Sequence, residues 1–344
     1  MKALDVQKYE LEITSDCNAE CPLCSRTLFK MPLRGNDNLT LEDIKKIFQD
    51  TSLVKNRIFK LCGVLGDPII NPECLEICEW LSTNGAKKIE ISTNAGYNNA
   101  EWWKRLAKIK NVVVCFSVDG MEHTNHIYRV NVKWNTVERN MRAFREAGGK
   151  GQWVYIVFSH NEDEYEKARV LAKEIGLEFV KRTAGRNILH GRKHQSRKME
   201  KEVFVTASKK FVHSDTNLSE LKWQKSEKSS ASEIQDLKER AETITCKHLY
   251  EPELYIGANM TLWPCCYLYS EHLVPGRGKR VLNVDYEQIS LSKHTIDEIL
   301  ANKFFKTIKE RWYADHTDYQ QRCMKNCSMK QAYANRKEVV DKNK

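Results

Sequence analysis

The 344-residue chain has no apolar run long enough to cross a bilayer as a helix. Its first residues, Met1-Lys2-Ala3-Leu4-Asp5-Val6-Gln7-Lys8, lack the apolar core of a secretory signal. The expectation is a cytoplasmic protein with no membrane partner. In that setting its 12 cysteines argue for metal rather than for disulfides. No recognisable RNA-binding motif is present. A strand–helix rhythm is missing between residues 186 and 245. What is present suits a globular chain: 41% hydrophobic and 30% charged residues, at a length that allows one large domain and a small one.

The net charge of +10 is local. Residues 181–210 hold ten Lys/Arg against two Glu, a net of +8. Gly191–Met199 and Lys225–Ser232 read as linkers, and Glu233–Glu242 as a short helix. A charged run of this kind is ordinarily a solvated segment. Its functional reading is electrostatic guidance of an acidic peptide or of a nucleic-acid phosphate backbone.

The cysteines divide unevenly. Cys17-Asn18-Ala19-Glu20-Cys21-Pro22-Leu23-Cys24 follows the strand-like run Tyr9–Thr14. Three thiols in this C-x3-C-x2-C spacing, on a loop past a strand, can face one point. Three thiolates can hold three irons of a four-iron cube, which normally takes four, and leave the last iron to another ligand. A zinc knuckle would need a second cysteine pair nearby, and none follows. Cys246, Cys265, Cys266, Cys323 and Cys327 lie in the last third. Cys62, Cys74, Cys78 and Cys115 are scattered and read as small core residues.

Strand and helix patterns alternate through the first 185 residues. Strands are expected at Tyr9–Thr14, Arg57–Gly63, Lys88–Thr93, Asn111–Val118, Gln152–Phe158 and Leu177–Arg182. Helices are expected after Thr40, whose spacing to Asp43 fits a capping box, and at 73–81, 100–109, 135–147 and 162–175. Such repeats indicate a parallel α/β sheet. Periodicity does not separate an open doubly wound sheet from a barrel. In both, active residues sit at the C-terminal strand ends.

The cysteine loop resembles the signature of radical S-adenosylmethionine (radical SAM) enzymes, and further partial matches follow in family order at successive strand ends. Gly63-Val64-Leu65-Gly66-Asp67-Pro68 is similar to the family's Gly-Gly-Glu-Pro segment, with Leu65 and Asp67 as departures. Ser92-Thr93-Asn94-Ala95-Gly96 is similar to its Thr-Asn-Gly segment. The resemblance implies a partial (β/α)6 TIM-like barrel over residues 1–185. It implies a [4Fe-4S] cluster on Cys17, Cys21 and Cys24, with SAM bound at the open iron. It assigns Gly66 and Asp67 to the SAM amino group, Ser92 and Asn94 to its ribose, Ser117 and Arg129 to its carboxylate, and Leu23 to the adenine. Without it, Gly-Asp-Pro is a turn, and Arg129 is a structural partner for Asp119.

Strand parity adds one expectation. If Tyr9, Leu11 and Ile13 face the helices, Glu10, Glu12 and Thr14 face the lumen. Lys60 and Cys62, and Glu90, Ser92 and Asn94, share that inward side. Glu12, Lys60 and Glu90 then form either an ion-paired barrel floor or a substrate amine site, which makes Glu12 a candidate catalytic residue.

The tail, Cys246, a hairpin about Gly257–Asn259 ending at Pro264-Cys265, a helix from Thr295 to Arg311, and the Cys323/Cys327 pair, resembles the SPASM/twitch extension of radical SAM enzymes. The resemblance implies a small β-hairpin/helix auxiliary-cluster domain at 246–330, after a basic linker at 186–245 and before a basic C-terminal tail at 331–344. It implies a second [4Fe-4S] cluster on Cys246, Cys265, Cys323 and Cys327. Cys266 is the surplus thiol, able to exchange roles with Cys265 or to give a hydrogen atom in an epimerisation. The alternative is a zinc ribbon on the same thiolates.

The expected activity is SAM cleavage to a 5′-deoxyadenosyl radical and hydrogen abstraction from a peptide or small molecule. A flavodoxin- or ferredoxin-type donor would supply the electron, and the auxiliary cluster would accept one from the substrate. That outcome covers oxidation, crosslinking and epimerisation. No stretch for a separate peptide-recognition domain precedes the first strand, which weighs against a peptide. The alternatives are a zinc-containing nucleic-acid-binding protein and an RNA-modifying radical SAM enzyme.

Overall fold

The computed structural model describes residues 1–183, 192–194, 203–206, 208, 244, 246–273, 284–308, 323 and 327. The chain divides into two compact units, one of Lys8–Ser214 with Ile256–Met260, the other of Met1–Gln7, Asp215–Tyr255 and Thr261–Lys344. The linker-like runs and the short helix expected within 186–245, and the basic tail 331–344, lie outside the described residues, apart from the few positions named above.

The larger unit is built on six parallel strands: β1 (Lys8–Leu11), β2 (Ile58–Leu61), β3 (Lys88–Thr93), β4 (Val112–Ser117), β5 (Lys150–Val157) and β6 (Glu178–Thr183). They pair in sequence order. Every crossover therefore goes to the adjacent strand, as in a barrel wall; a doubly wound sheet reverses at a switch point. The helices are α1 (Ser25–Leu28), α2 (Leu41–Ile47), α3 (Cys74–Thr83), α4 (Ala100–Lys108), α5 (Asn125–Tyr128), α6 (Trp134–Glu146) and α7 (Tyr165–Ile175). This is the expected partial (β/α)6 barrel. A short antiparallel pair, β7 (Arg192–His194) with β8 (Val203–Val205), follows where the sequence showed no rhythm.

Local chemistry accounts for the elements. Thr40 and Asp43 form the expected capping box on α2. Asn99 accepts from the Trp102 amide to start α4, and Gly176, at φ +84°, ends α7 in the left-handed conformation that glycine takes without strain. Strand parity sorts the faces. Tyr9, Leu11, Phe59, Leu61, Ile89, Ile91, Val114, Phe116, Trp153 and Tyr155 are fully buried beneath the helices. Trp103 of α4 and Phe144 of α6 each lie 5.6 Å from the Phe116 ring of β4.

The inward charges pair differently from expectation. Register sets Glu10 opposite Lys60, and Lys60 opposite Glu90. Lys60 reaches Glu10 at 2.6 Å, and Lys88 reaches Glu90 at 2.7 Å. Glu12 stands one residue past the paired register, which ends at Leu11. It lies beyond the end of β1 and accepts the Leu65 amide at 2.7 Å, holding the turn after β2. The register partner of Lys60 on β1 is thus Glu10, because strand pairing matches residue 10, not 12, to residue 60.

The strand Glu253–Ile256 lies beside Leu262–Trp263, and the Met260 amide closes the turn between them on the Gly257 carbonyl at 2.9 Å. This is the expected hairpin. Trp263 stacks on His272 of the helix Cys266–His272, with ring centroids 5.2 Å apart. The single helix expected from Thr295 is instead two, Ile296–Leu300 and Lys303–Lys306. Asn302 breaks the run by capping the second helix through the Phe305 amide.

Trp103→Ala should cost about 3–5 kcal/mol of stability through the cavity left under α4. Urea melts with an unchanged midpoint would contradict the packing described.

Candidate active site

The cysteine loop has no ladder of its own, so its shape depends on what holds it. The chain after it doubles back: the Ser15 amide bonds to the Asp37 carbonyl, Cys17 to Leu33 and Leu39 to Ile13, at 2.9–3.0 Å. Each following strand end then bonds to the loop. From the end of β2, the Asp67 amide donates to the Asp16 carbonyl at 2.8 Å, and the Leu65 carbonyl accepts from Arg26 Nε at 2.7 Å. From the end of β3, the Gly96 carbonyl accepts from Asn18 at 3.1 Å, and Asn94 Nδ2 donates to Asn18 Oδ1 at 2.9 Å. From the β4 side, the Val130 carbonyl accepts the Glu20 amide at 3.1 Å.

The expected SAM-contact residues sit within this web. A Cβ on Gly66 would stand 1.7 Å from the Thr14 carbonyl oxygen, so the close approach requires glycine there. Asp67 is buried, and Oδ2 accepts the Asn94 amide at 2.8 Å, tying the second motif to the third. Burial raises its pKa against the hydrogen bonds it receives from Asn94, Thr93 and Ile69. Ser92 and Ser117 lie on the inward faces of β3 and β4, each partly exposed. Leu23 is partly exposed on the loop itself.

Arg129 donates through Nε and Nη2 to Asp119 Oδ2, both at 2.7 Å. Nη1 points to Cys21 Sγ at 3.7 Å. Burial opposes its charge, but Asp119 and Cys21 outweigh that and hold its pKa above the ordinary guanidinium value. Burial pushes the Cys21 thiol up to about 11, against the pull of Arg129. The Cys17 thiol is raised as well, by burial, then Asp67, Cys21 and Cys24. Among the described residues, no three His, Cys, Asp or Glu side chains stand in a metal-coordinating array.

Two groups with enclosed nitrogens here, a buried arginine and a half-buried histidine, were not legible in the sequence. Arg26, on α1 just after Cys24, is 2% exposed, and its Nη2 makes no hydrogen bond. His160, past the end of β5, stacks on Phe158 at 5.3 Å, and Phe158 packs on Tyr128 at 4.5 Å. Neither nitrogen of His160 has a hydrogen-bond partner. A charged residue on so short a helix was the only signal for Arg26; for His160, position at a strand end was the only one.

In the second unit Cys265 caps the helix that Cys266 begins. Burial raises the Cys265 thiol, and Cys246 and Cys327 both act on it electrostatically. Cys323 and Cys327 are both partly exposed.

A model of the Radical SAM superfamily matches residues 11–172. Residues 11–172 are a radical SAM domain. Among curated relatives, a GTP 3',8-cyclase of Mannheimia succiniciproducens is 27% identical over 180 residues, 49% of this chain and 51% of the relative. A probable GTP 3',8-cyclase of Methanothermobacter marburgensis is 31% identical over 84 residues, 24% of this chain and 26% of the relative. The chain thus spans about half the length of the first relative and about a quarter of the second. Among solved structures, Streptococcus suis SuiB superposes with a TM-score of 0.57 at 13% identity, over 89% of this chain and 68% of SuiB. Native anSMEcpe with bound AdoMet gives 0.50 at 16% identity, over 93% of this chain and 89% of that one. These likenesses show the fold. In the radical SAM domain the cysteine loop and the segments that follow β2, β3 and β4 occupy the C-terminal rim of the barrel.

The His160 imidazole is pushed down to about 4, by burial and then by His126. A histidine with a depressed folded pKa favours the neutral form, so its contribution is present above the unfolded value of about 6.5 and is lost as pH falls towards 4. Urea melts at pH 7 and pH 4.5 should show a smaller acid-induced loss in His160→Gln than in wild type. Equal losses would contradict the placement.

Proposed function

We propose that this chain is a radical SAM enzyme that abstracts a hydrogen atom from a peptide or small-molecule substrate, assisted by a twitch-type auxiliary cluster. The observation that carries the reading is the placement of Cys17, Cys21 and Cys24 on one loop that the segments after β2, β3 and β4 all hold. Three thiols fit a cube with one open iron. When bound there, the cluster and SAM supply a 5′-deoxyadenosyl radical, which takes a hydrogen atom from the substrate.

The chain's own residues position these groups. Cys17, Cys21 and Cys24 are the cluster ligands. Gly66 and Asp67 face the SAM amino group, Ser92 and Asn94 its ribose, Ser117 its carboxylate, and Leu23 its adenine, while the Arg129 fork that would also suit the carboxylate is held by Asp119. Asp67 has a further task, since its bond to the Asn94 amide fixes the spacing of two of these segments. Glu12 serves the turn at Leu65, and so acts on the same segment from behind.

The tail cysteines would hold the second cluster through Cys246, Cys265, Cys323 and Cys327. Support comes from the burial of the Cys265 thiol and from the lesser electrostatic influence of Cys246 and Cys327 on it. Four thiolates would saturate such a cluster and suit it to accepting an electron, with Cys266 left as a thiol donor. SuiB, a structural neighbour, has been solved with its precursor peptide SuiA, which supports a peptide as one substrate class for this fold. A flavodoxin- or ferredoxin-type protein in the cytoplasm would supply the first electron.

Anaerobic reconstitution with iron and sulfide, then SAM and dithionite, tests the reading. The expected result is about eight irons per chain and deoxyadenosine, with deoxyadenosine abolished in Cys21→Ala. About four irons with zinc in the tail would remove the auxiliary cluster. No iron would favour the zinc and nucleic-acid reading.

A further inference from the structure

The three Arg129 nitrogens are already committed. The Nε/Nη2 edge, the fork that would clasp a carboxylate, is held by Asp119 at 2.7 Å through both atoms. Asp119 is fully buried and cannot swing away freely. Its Oδ1 accepts the Ile156 amide at 2.7 Å, its own amide donates to Asn125, and its carbonyl accepts from Asn161 at 2.9 Å. The carboxylate is therefore anchored to β5 and to the loops after β4 and β5. It aims the guanidinium, and the remaining Nη1 lies 3.7 Å from Cys21 Sγ. The Arg129 side chain is 16% exposed, and Cys21 is buried. Water therefore screens little of the interaction between them.

We propose that Arg129 is a positioning residue for the redox centre: held by Asp119, it donates to the Cys21 sulfur and raises the reduction potential of the cluster bound there. This inference rests on the radical SAM reading. Hydrogen bonds to ligand sulfurs, net charge and solvent exposure set iron–sulfur potentials, and groups behind the ligands tune the metal. A fixed cation and donor at a ligating thiolate stabilise the added electron of the reduced state. Removing it makes reduction harder. Asp119 acts with the opposite sign through its charge and with the same sign through its hold on Arg129.

The test is a potentiometric titration of the reconstituted full-length chain, without SAM. A Cys265→Ala/Cys327→Ala background confines iron to Cys17, Cys21 and Cys24. Arg129→Gln should shift the reduction equilibrium at least tenfold towards the oxidised state, which for a one-electron couple is a potential lower by about 59 mV. Arg129→Lys keeps the charge and should recover at least half of that shift. A purely structural role would lower iron content in both variants and leave the potential of the filled fraction unchanged. Equal potentials in Arg129→Gln and its parent, with about four irons bound in each, would overturn the proposal. A parent that takes up no iron would overturn the radical SAM reading itself, and this inference with it.

Discussion

The constraint on which the rest depends is the fixing of a loop that cannot fix itself. Residues 17–24 form no sheet, and only a short helix follows them. Their backbone groups must find partners elsewhere. The Cys17 and Glu20 amides find them in Leu33 and Val130, while Asp16 and the side chains of Arg26 and Asn18 tie the loop to the ends of β2 and β3. The barrel makes this possible because its parallel strands all end on one rim. Sequence-order pairing brings the turns after residues 61, 93 and 117 to the same side. The fully buried aromatic layer beneath the helices keeps those strand ends in place.

Much of this was legible in the sequence, for physical reasons that differ by element. The strands announced themselves through alternation of apolar residues, and the start of α2 through its capping box. The barrel, as opposed to an open sheet, was not legible from periodicity, since strand order leaves no local trace. The charge ladder was misassigned by one step along β1. Parity gave the correct face for Glu10 and Glu12, but register, which depends on pairing with β2, chose Glu10 for Lys60. The tail helix was read too long because Asn302 looks like an ordinary polar residue until its capping bond to Phe305 is seen.

At the candidate site, the cysteines and the Asn94 and Gly66 turns were visible as motifs. Their mutual bonds were not. Asp67 was expected to face a ligand; it also ties two motifs together. Arg129 was expected either to bind a carboxylate ligand or to pair with Asp119. It pairs with Asp119, and it also touches a cysteine sulfur, a contact between residues 108 apart that no local pattern encodes. Arg26 and His160 went unremarked because a buried polar group is conspicuous only once burial is known.

The most direct measurement of the central claim is the electron paramagnetic resonance spectrum of the reduced cluster with and without SAM. It should be recorded in a chain whose tail cysteines are replaced by alanine. Three protein ligands and one open iron predict a changed g-tensor when SAM is added, and no such change in methionine-free buffer alone. A spectrum identical with and without saturating SAM would mean that the fourth iron is not open, and would contradict the account.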